Sequence, residues 1–238
     1  MSWSDIWELT PFRLSFLIGA VYDQLPSCDN LVRWNLANEQ TCALCGARKT
    51  LQHVLSACKV SLASGRYTWR HNQVLGKVVQ AVDEARSAAK PDAGSLLQGA
   101  NDWKVATDLP GRGSYPEIIR DCNARPDIVM TSESTKRMVI IELTVPFETN
   151  MSGSHEYKKG KYEELVSLVH RKGFKAHLLA VEVGARGFAG ASAYTLLQRI
   201  GLGKQRRARY LRLMSQSAEA ASYWIWLKRG NKDWAASA

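Results

Sequence analysis

Apolar and polar positions follow several distinct rhythms along this chain, and each rhythm predicts an element. Between residues 11 and 25, Phe12, Phe16, Leu17, Ala20 and Val21 recur at the spacing of an amphipathic helix, with Thr10 placed as N-cap and Pro11 in the first turn. The same period returns over residues 66 to 90, where Trp69, Val74, Leu75, Val78, Val79 and Val82 predict one long helix that Pro91 stops. Residues 91 to 116 carry several Gly and Pro and little periodicity, so they predict a loop holding one short strand over residues 103 to 109. From Arg125 the pattern turns β-rich. Segments 126 to 130 and 138 to 145 flank a polar stretch, 131 to 137, as a hairpin requires. A helix over residues 155 to 171, with Leu165, Val166 and Val169 inward, then leads to an apolar strand over 174 to 183. Strand, helix, strand predicts a right-handed crossover. Beyond Ala189 the pattern is helical, broken at Gly201 and Gly203, and it ends on Tyr223, Trp224 and Trp226. The fold class read from these elements is α/β (α+β), a mixed sheet flanked by helices.

Composition narrows the picture without deciding it. A chain of 238 residues supports one sizeable core, or a core with a small satellite. Its 45% hydrophobic and 23% charged residues are ordinary for a globular protein and exclude disordered and fibrous classes. Lys and Arg total 32 against 22 Asp and Glu, a net charge of +10 suited to a phosphate-rich partner. The apolar run over residues 14 to 21 is far shorter than the ~20 residues a bilayer span needs. No basic leader with a cleavage site precedes it, so a soluble, intracellular protein with no membrane association is expected. Of five cysteines, Cys42, Cys45 and Cys58 crowd together beside a histidine, which favours metal over disulfides in a reducing compartment.

Cys42-x2-Cys45-x7-His53-x4-Cys58 supplies three thiolates and one imidazole, the Cys3His set of a structural tetrahedral Zn²⁺. Gly46 stands where a tight turn after the first pair needs a permissive backbone. Four ligands close the site to substrate, so this zinc is expected to shape the fold and to do no chemistry.

A second constellation carries the candidate chemistry. With the hairpin centred on Ser134, Met130 pairs near Val139, and Asp127 then falls opposite or next to Glu142. A glutamate inside so apolar a strand is costly unless paired or bound to a cation. Two carboxylates at one end of a sheet suit Mg²⁺ or Mn²⁺, which keeps further coordination sites for water and phosphate oxygens. Lys158, Lys161 and Tyr162 occupy adjoining positions of the following helix, from which a lysine can reach the acids and act on the attacking water or the phosphate. His155, at the start of that helix, is read equally as a substrate-positioning residue and as an exposed one. Taken singly, Asp127 is also readable as a turn residue, Glu142 as an edge ion pair and the lysines as a solvated face. Their joint spacing favours a metal site.

Several stretches together resemble the C-terminal region of non-LTR retrotransposon proteins that carry a restriction-like endonuclease. They are Ala20-Val-Tyr-Asp-Gln-Leu-Pro26, the Cys42 to Cys58 knuckle, Gly65-Arg-Tyr-Thr-Trp-Arg-His-Asn-Gln-Val-Leu75, Arg125-Pro-Asp127, Glu142-Leu-Thr-Val-Pro146, the Lys158 to Tyr162 stretch and Val181-Glu-Val-Gly-Ala-Arg-Gly187. The resemblance implies a PD-(D/E)xK restriction-endonuclease-like sheet over residues 61–238, preceded by a helical segment (1–40) and a CCHC zinc knuckle (41–60). It implies nicking of target DNA in the nucleus, so that the exposed 3′-OH primes reverse transcription by a polymerase portion of the same polyprotein. Element RNA is a further implied partner. Asp127 and Glu142 become the metal-binding acids, and Lys158 or Lys161 the catalytic lysine. Thr144 departs from the general pattern, which places a lysine there. An acid of the long helix, Asp83 or Glu84, is a weaker candidate for the same site.

Arg206, Arg207 and Arg209 cluster near Tyr210 with Arg199, Lys204 and Arg212, and are read as phosphate contacts, with a solvated helix face as the alternative. Arg66, Arg70 and His71 form a second expected contact set, with Arg125 and Tyr162 beside the acids. Two other classes stay open: a catalytically silent DNA- or RNA-binding module, and an interaction domain stapled by zinc.

Overall fold

The polar stretch at residues 133 to 136 folds the central hairpin, with Lys136 in the left-handed region (φ 49°). The Asp102 carboxylate pins this turn, accepting from the Ser134 amide at 2.9 Å and from the Ser132 and Ser134 hydroxyls, each at 2.7 Å. Strands β2 (Ile128–Ser132) and β3 (Arg137–Thr144) pair antiparallel with Met130 opposite Val139, the register expected from the sequence. Strand β1 (Lys104–Thr107) adds antiparallel to β2, and β4 (Lys175–Glu182) adds parallel to β3, giving a four-stranded mixed sheet in the order β1-β2-β3-β4. The computed structural model describes residues 3–88, 94–111, 113–120, 122 and 124–235.

Helices α1 (Trp3–Trp7), α2 (Pro11–Val21), α3 (Cys28–Arg33) and α4 (Lys59–Ala63) precede the long α5 (Arg66–Ser87). The short α6 (Glu117–Arg120) lies between β1 and β2, α7 (Met151–Lys161) and α8 (Glu163–Arg171) connect β3 to β4, and α9 (Ala191–Arg199) and α10 (Lys204–Leu227) follow. The Thr10 side chain makes no capping bond, so the proline alone starts α2. The proposed stop of α5 at Pro91 lies outside the described residues. The single helix expected over residues 155 to 171 is two helices, because Tyr162 leaves helical geometry (φ −105°). Its ring is buried and its hydroxyl donates to the Arg125 carbonyl at 3.1 Å.

The sheet is covered on both faces, which explains why its strands read as nearly continuous apolar runs. On one face Ile128, Met130, Val139, Ile141 and Val181 pack against Val74, Leu75, Val78 and Val82 of α5, Leu196 of α9 and Met214 of α10. On the other, Val129, Met138 and Ile140 meet Ile119 of α6 and Leu165 and Val169 of α8. A further cluster joins the amino-terminal third to the sheet layer: Phe16, Ala20, Leu51, Val54 and Leu55 pack with Phe147, Ala185, Ile225 and Trp226. Among the described residues, no helix is long and apolar enough to cross a membrane.

Candidate metal centres

The zinc ligands are assembled by two local devices. A tight turn, with Gly46 at φ 75°, folds Cys42 and Cys45 together; the Cys42 amide donates to the Ala47 carbonyl at 2.8 Å. A wide π-helical turn (His53–Ala57) then delivers His53 and Cys58 from its two ends. The donor atoms of Cys42, Cys45, His53 and Cys58 lie within 4.8 Å of one another, and Cys45 Sγ is 3.3 Å from His53 Nε2. Tetrahedral ligands ~2.0–2.3 Å from a zinc ion sit roughly 3.3–3.8 Å apart, so the set fits that ion with small adjustment. Burial and the nearby Lys49 hold the His53 imidazole below its ordinary range, which favours the neutral, metal-binding form. The Tyr67 hydroxyl of α5 braces the turn, donating to the His53 and Val54 carbonyls at 3.2 and 3.0 Å and accepting from the Cys58 amide at 3.1 Å.

At the rim of the sheet where β2 begins and β3 ends, Asp127 and Glu142 interlock through the backbone. The Leu143 amide donates to Asp127 Oδ2 at 2.7 Å, and the Asp127 amide donates to Glu142 Oε2 at 3.2 Å. Both residues are buried, with 8% and 3% of their surface exposed. Lys158 of α7 pairs with Glu142 Oε1. Lys161 sits one contact further out, 3.1 Å from the Tyr162 hydroxyl and over its ring. Burial, followed by the charge of Glu142, raises the Tyr162 phenol, so it stays a neutral donor. Among the described residues no hydrogen bond falls on Asp127 Oδ1, an acceptor suited to a hard cation.

The sequence placed His71 on an expected DNA-contacting surface, but the first turns of α5 bring its Nε2 within 3.3 Å of both Asp127 Oδ2 and the Leu143 carbonyl. Burial pulls this imidazole down. Hydrogen bonding to Asp127 and its charge, with Asn72 and the Leu143 carbonyl, outweigh that and leave it raised. Asp83 and Glu84 lie twelve and thirteen residues further along α5, roughly 18–20 Å away. There Asp83 meets Arg86 at 3.8 Å, and Glu84 meets Arg206 at 3.2 Å and Arg209 at 3.6 Å. Neither acid joins the rim.

A further buried carboxylate goes unmarked in the sequence pattern. Glu182 of β4 is 5% exposed; its Oε1 lies 2.8 Å from His155 Nδ1, and its Oε2 accepts from the Ser192 hydroxyl at 2.6 Å. The signal was available, since a glutamate in the apolar strand 174 to 183 demands a partner just as Glu142 does.

Three expected nucleic-acid contacts are corrected by burial. Arg66 is fully buried, with its guanidinium shared among the carbonyls of Lys228 (3.3 Å), Asn231 (2.6 Å) and Trp234 (3.1 Å). Arg70 is 2% exposed and donates to Leu55 O at 2.8 Å, Val145 O at 2.9 Å and Ser222 Oγ at 3.0 Å. Burial pushes its pKa down to about 10. Tyr162 is likewise sealed, as described above. Arg125, Arg206 and Arg209 are exposed, while Arg207 is half-buried, bonded to the Leu202 carbonyl at 2.8 Å and stacked over Tyr194.

Comparison with known families matches residues 1–64 to a family described as zinc-binding in reverse transcriptase. The matched stretch holds all four zinc ligands and covers 64 of the 238 residues. No curated protein matches the chain. The match and the Cys/His cluster identify a reverse-transcriptase-associated zinc-binding element, consistent with a retrotransposon-derived protein.

Proposed function

We propose that this chain is a divalent-metal-dependent DNA endonuclease of the PD-(D/E)xK type, the nicking portion of a retrotransposon-derived protein acting in the nucleus. The observation that carries the proposal is the meeting of Asp127, Glu142 and Lys158 at one rim of the sheet. Asp127 and Glu142 are the residues that hold Mg²⁺ or Mn²⁺, which supplies Lewis-acid polarisation of the phosphate and an acidified water. Backbone amides hold both carboxylates in place before substrate arrives, so little reorganisation accompanies binding. Lys158, delivered by α7, takes the part of the lysine whose usual position is Thr144; beside Glu142 its ammonium stabilises negative charge building on the phosphate. His71 steadies Asp127 from the far side. Target DNA is the substrate, and element RNA and the reverse transcriptase portion are the proposed partners.

A silent nucleic-acid-binding module is the second reading. One observation favours it: both carboxylates already have protein partners and are nearly sealed, as a purely structural rim would be. Supercoiled plasmid incubated with the protein and Mn²⁺ separates the two. Nicked circles that vanish with Asp127→Asn support the endonuclease; plasmid retardation without nicking supports the silent module.

A further inference from the structure

Glu182 pairs in register with Thr144, and Glu142 with Ala180, so the two glutamates share one face of adjacent parallel strands. Two residues along and one strand across place their Cα atoms roughly 8 Å apart. Helix α7 addresses both. Lys158 pairs with Glu142, and His155, one turn earlier on the same helix, meets Glu182. With Nδ1 engaged by Glu182, Nε2 is the nitrogen left for a ligand. The imidazole is not locked into the core, since a quarter of its side chain is exposed (25%). It lines a cavity of about 800 Å³ together with Ser152, Lys159, Ser192, Thr195 and Arg199. The acids at this cavity are all paired: Glu148 with Arg186, Glu156 with Lys159 and Glu182 with His155.

We infer that His155 Nε2 binds a backbone phosphate of the DNA strand next to the scissile one, with Lys159 and Arg199 flanking that phosphate. Glu182 and Ser192 are positioning residues that fix the imidazole. The inference rests on the endonuclease reading for which phosphate is cut. Glu182, which holds the ring, stands one strand across and two residues along from Glu142, with its Cα ~8 Å away, so the ring serves the phosphate next to the one at the acids. A carboxylate on Nδ1, itself held by the Ser192 hydroxyl, suits this task because it fixes the orientation of the ring that presents Nε2.

The test is binding of a duplex oligonucleotide in Ca²⁺, which supports binding without cleavage, from about 50 to 200 mM salt. Each lost phosphate contact lowers the slope of log K against log salt by about 0.9. His155→Gln, which can still bond Glu182, is expected to lose about that much, and so is Glu182→Gln; their double variant loses no more than either alone. A parental slope in His155→Gln overturns the inference, as does absence of DNA binding by the parent. Should His155→Gln fail to fold, Lys159→Ala/Arg199→Ala, at exposed positions, decides: its slope falls, or the inference is wrong. Plasmid nicking run in parallel separates the two claims. Nicking with an unchanged slope leaves the endonuclease and removes this site, whereas a reduced slope without nicking does the reverse.

Discussion

Replacing Arg70 with alanine tests whether this residue is a structural bracket or a DNA contact. The guanidinium joins three parts of the chain: Leu55 in the zinc unit, Val145 after β3 and Ser222 in α10. Removing it strands three acceptors, each costing about 1–3 kcal/mol when buried and unpaired. Opposing this, a guanidinium held at about 10 in place of 12.5 is disfavoured as a charge by roughly 3 kcal/mol, a cost the alanine abolishes. The buried stem and its contact with the Tyr67 ring are lost as well. The balance is a destabilisation of about 3–4 kcal/mol. Guanidinium-chloride unfolding of the zinc-loaded protein reads this as a large drop in midpoint at an unchanged slope. The salt dependence of DNA binding by the folded fraction stays parental. A variant as stable as the parent but with a shallower salt slope would refute the structural assignment and return Arg70 to the proposed DNA-contacting surface.

Cys45→Ser is expected to lose zinc and to destabilise the segment around the π turn, because three remaining ligands hold the ion far less firmly. Elemental analysis showing a full equivalent of zinc in that variant would refute the site. Glu219, buried in α10 and paired with Arg13, has its carboxyl raised above 4.5 because burial outweighs the hydrogen bond and charge of Arg13. A raised carboxyl is a group the folded state protonates more readily than the unfolded one. Its stabilising effect is therefore complete below about 4.5 and is lost as pH rises through the raised value. Relative to Glu219→Gln, the parent should lose stability across that window in thermal melts; parallel pH profiles would contradict the assignment.

The sheet and its acids were legible in the sequence because a polar turn between two apolar runs centres the hairpin, and its centre fixes which side chains are opposite. Asp127 and Glu142 followed from centring the hairpin on Ser134, and the parallel fourth strand followed from the helical stretch after Val145. Arg66 and Arg70 were misjudged because charge in sequence says nothing of burial; on an amphipathic helix an arginine at the edge of the apolar stripe can point either way. What holds them inside are carbonyls of the π turn, of Val145 and of the segment after α10, which no local pattern announces. His71 escaped assignment to the acid rim for a related reason: its partner Asp127 is far along the chain, and only the packing of α5 over the sheet joins them.

The zinc unit and the carboxylate rim are tied to each other through one helical turn. Within α5, Tyr67 braces the π turn that presents His53 and Cys58, Arg70 grips both that turn and Val145, and His71 touches Asp127 and Leu143. Val145 directly follows the strand that carries Glu142, so Arg70 fixes the end of β3 relative to the knuckle. A lysine at 70 could not do the same, because a compact ammonium lacks the planar fork that spans separated acceptors. The requirement for arginine there is therefore geometric. It also explains how a knuckle with four protein ligands bears on the place where chemistry is proposed: it supplies the carbonyl against which the first turn of α5 is set.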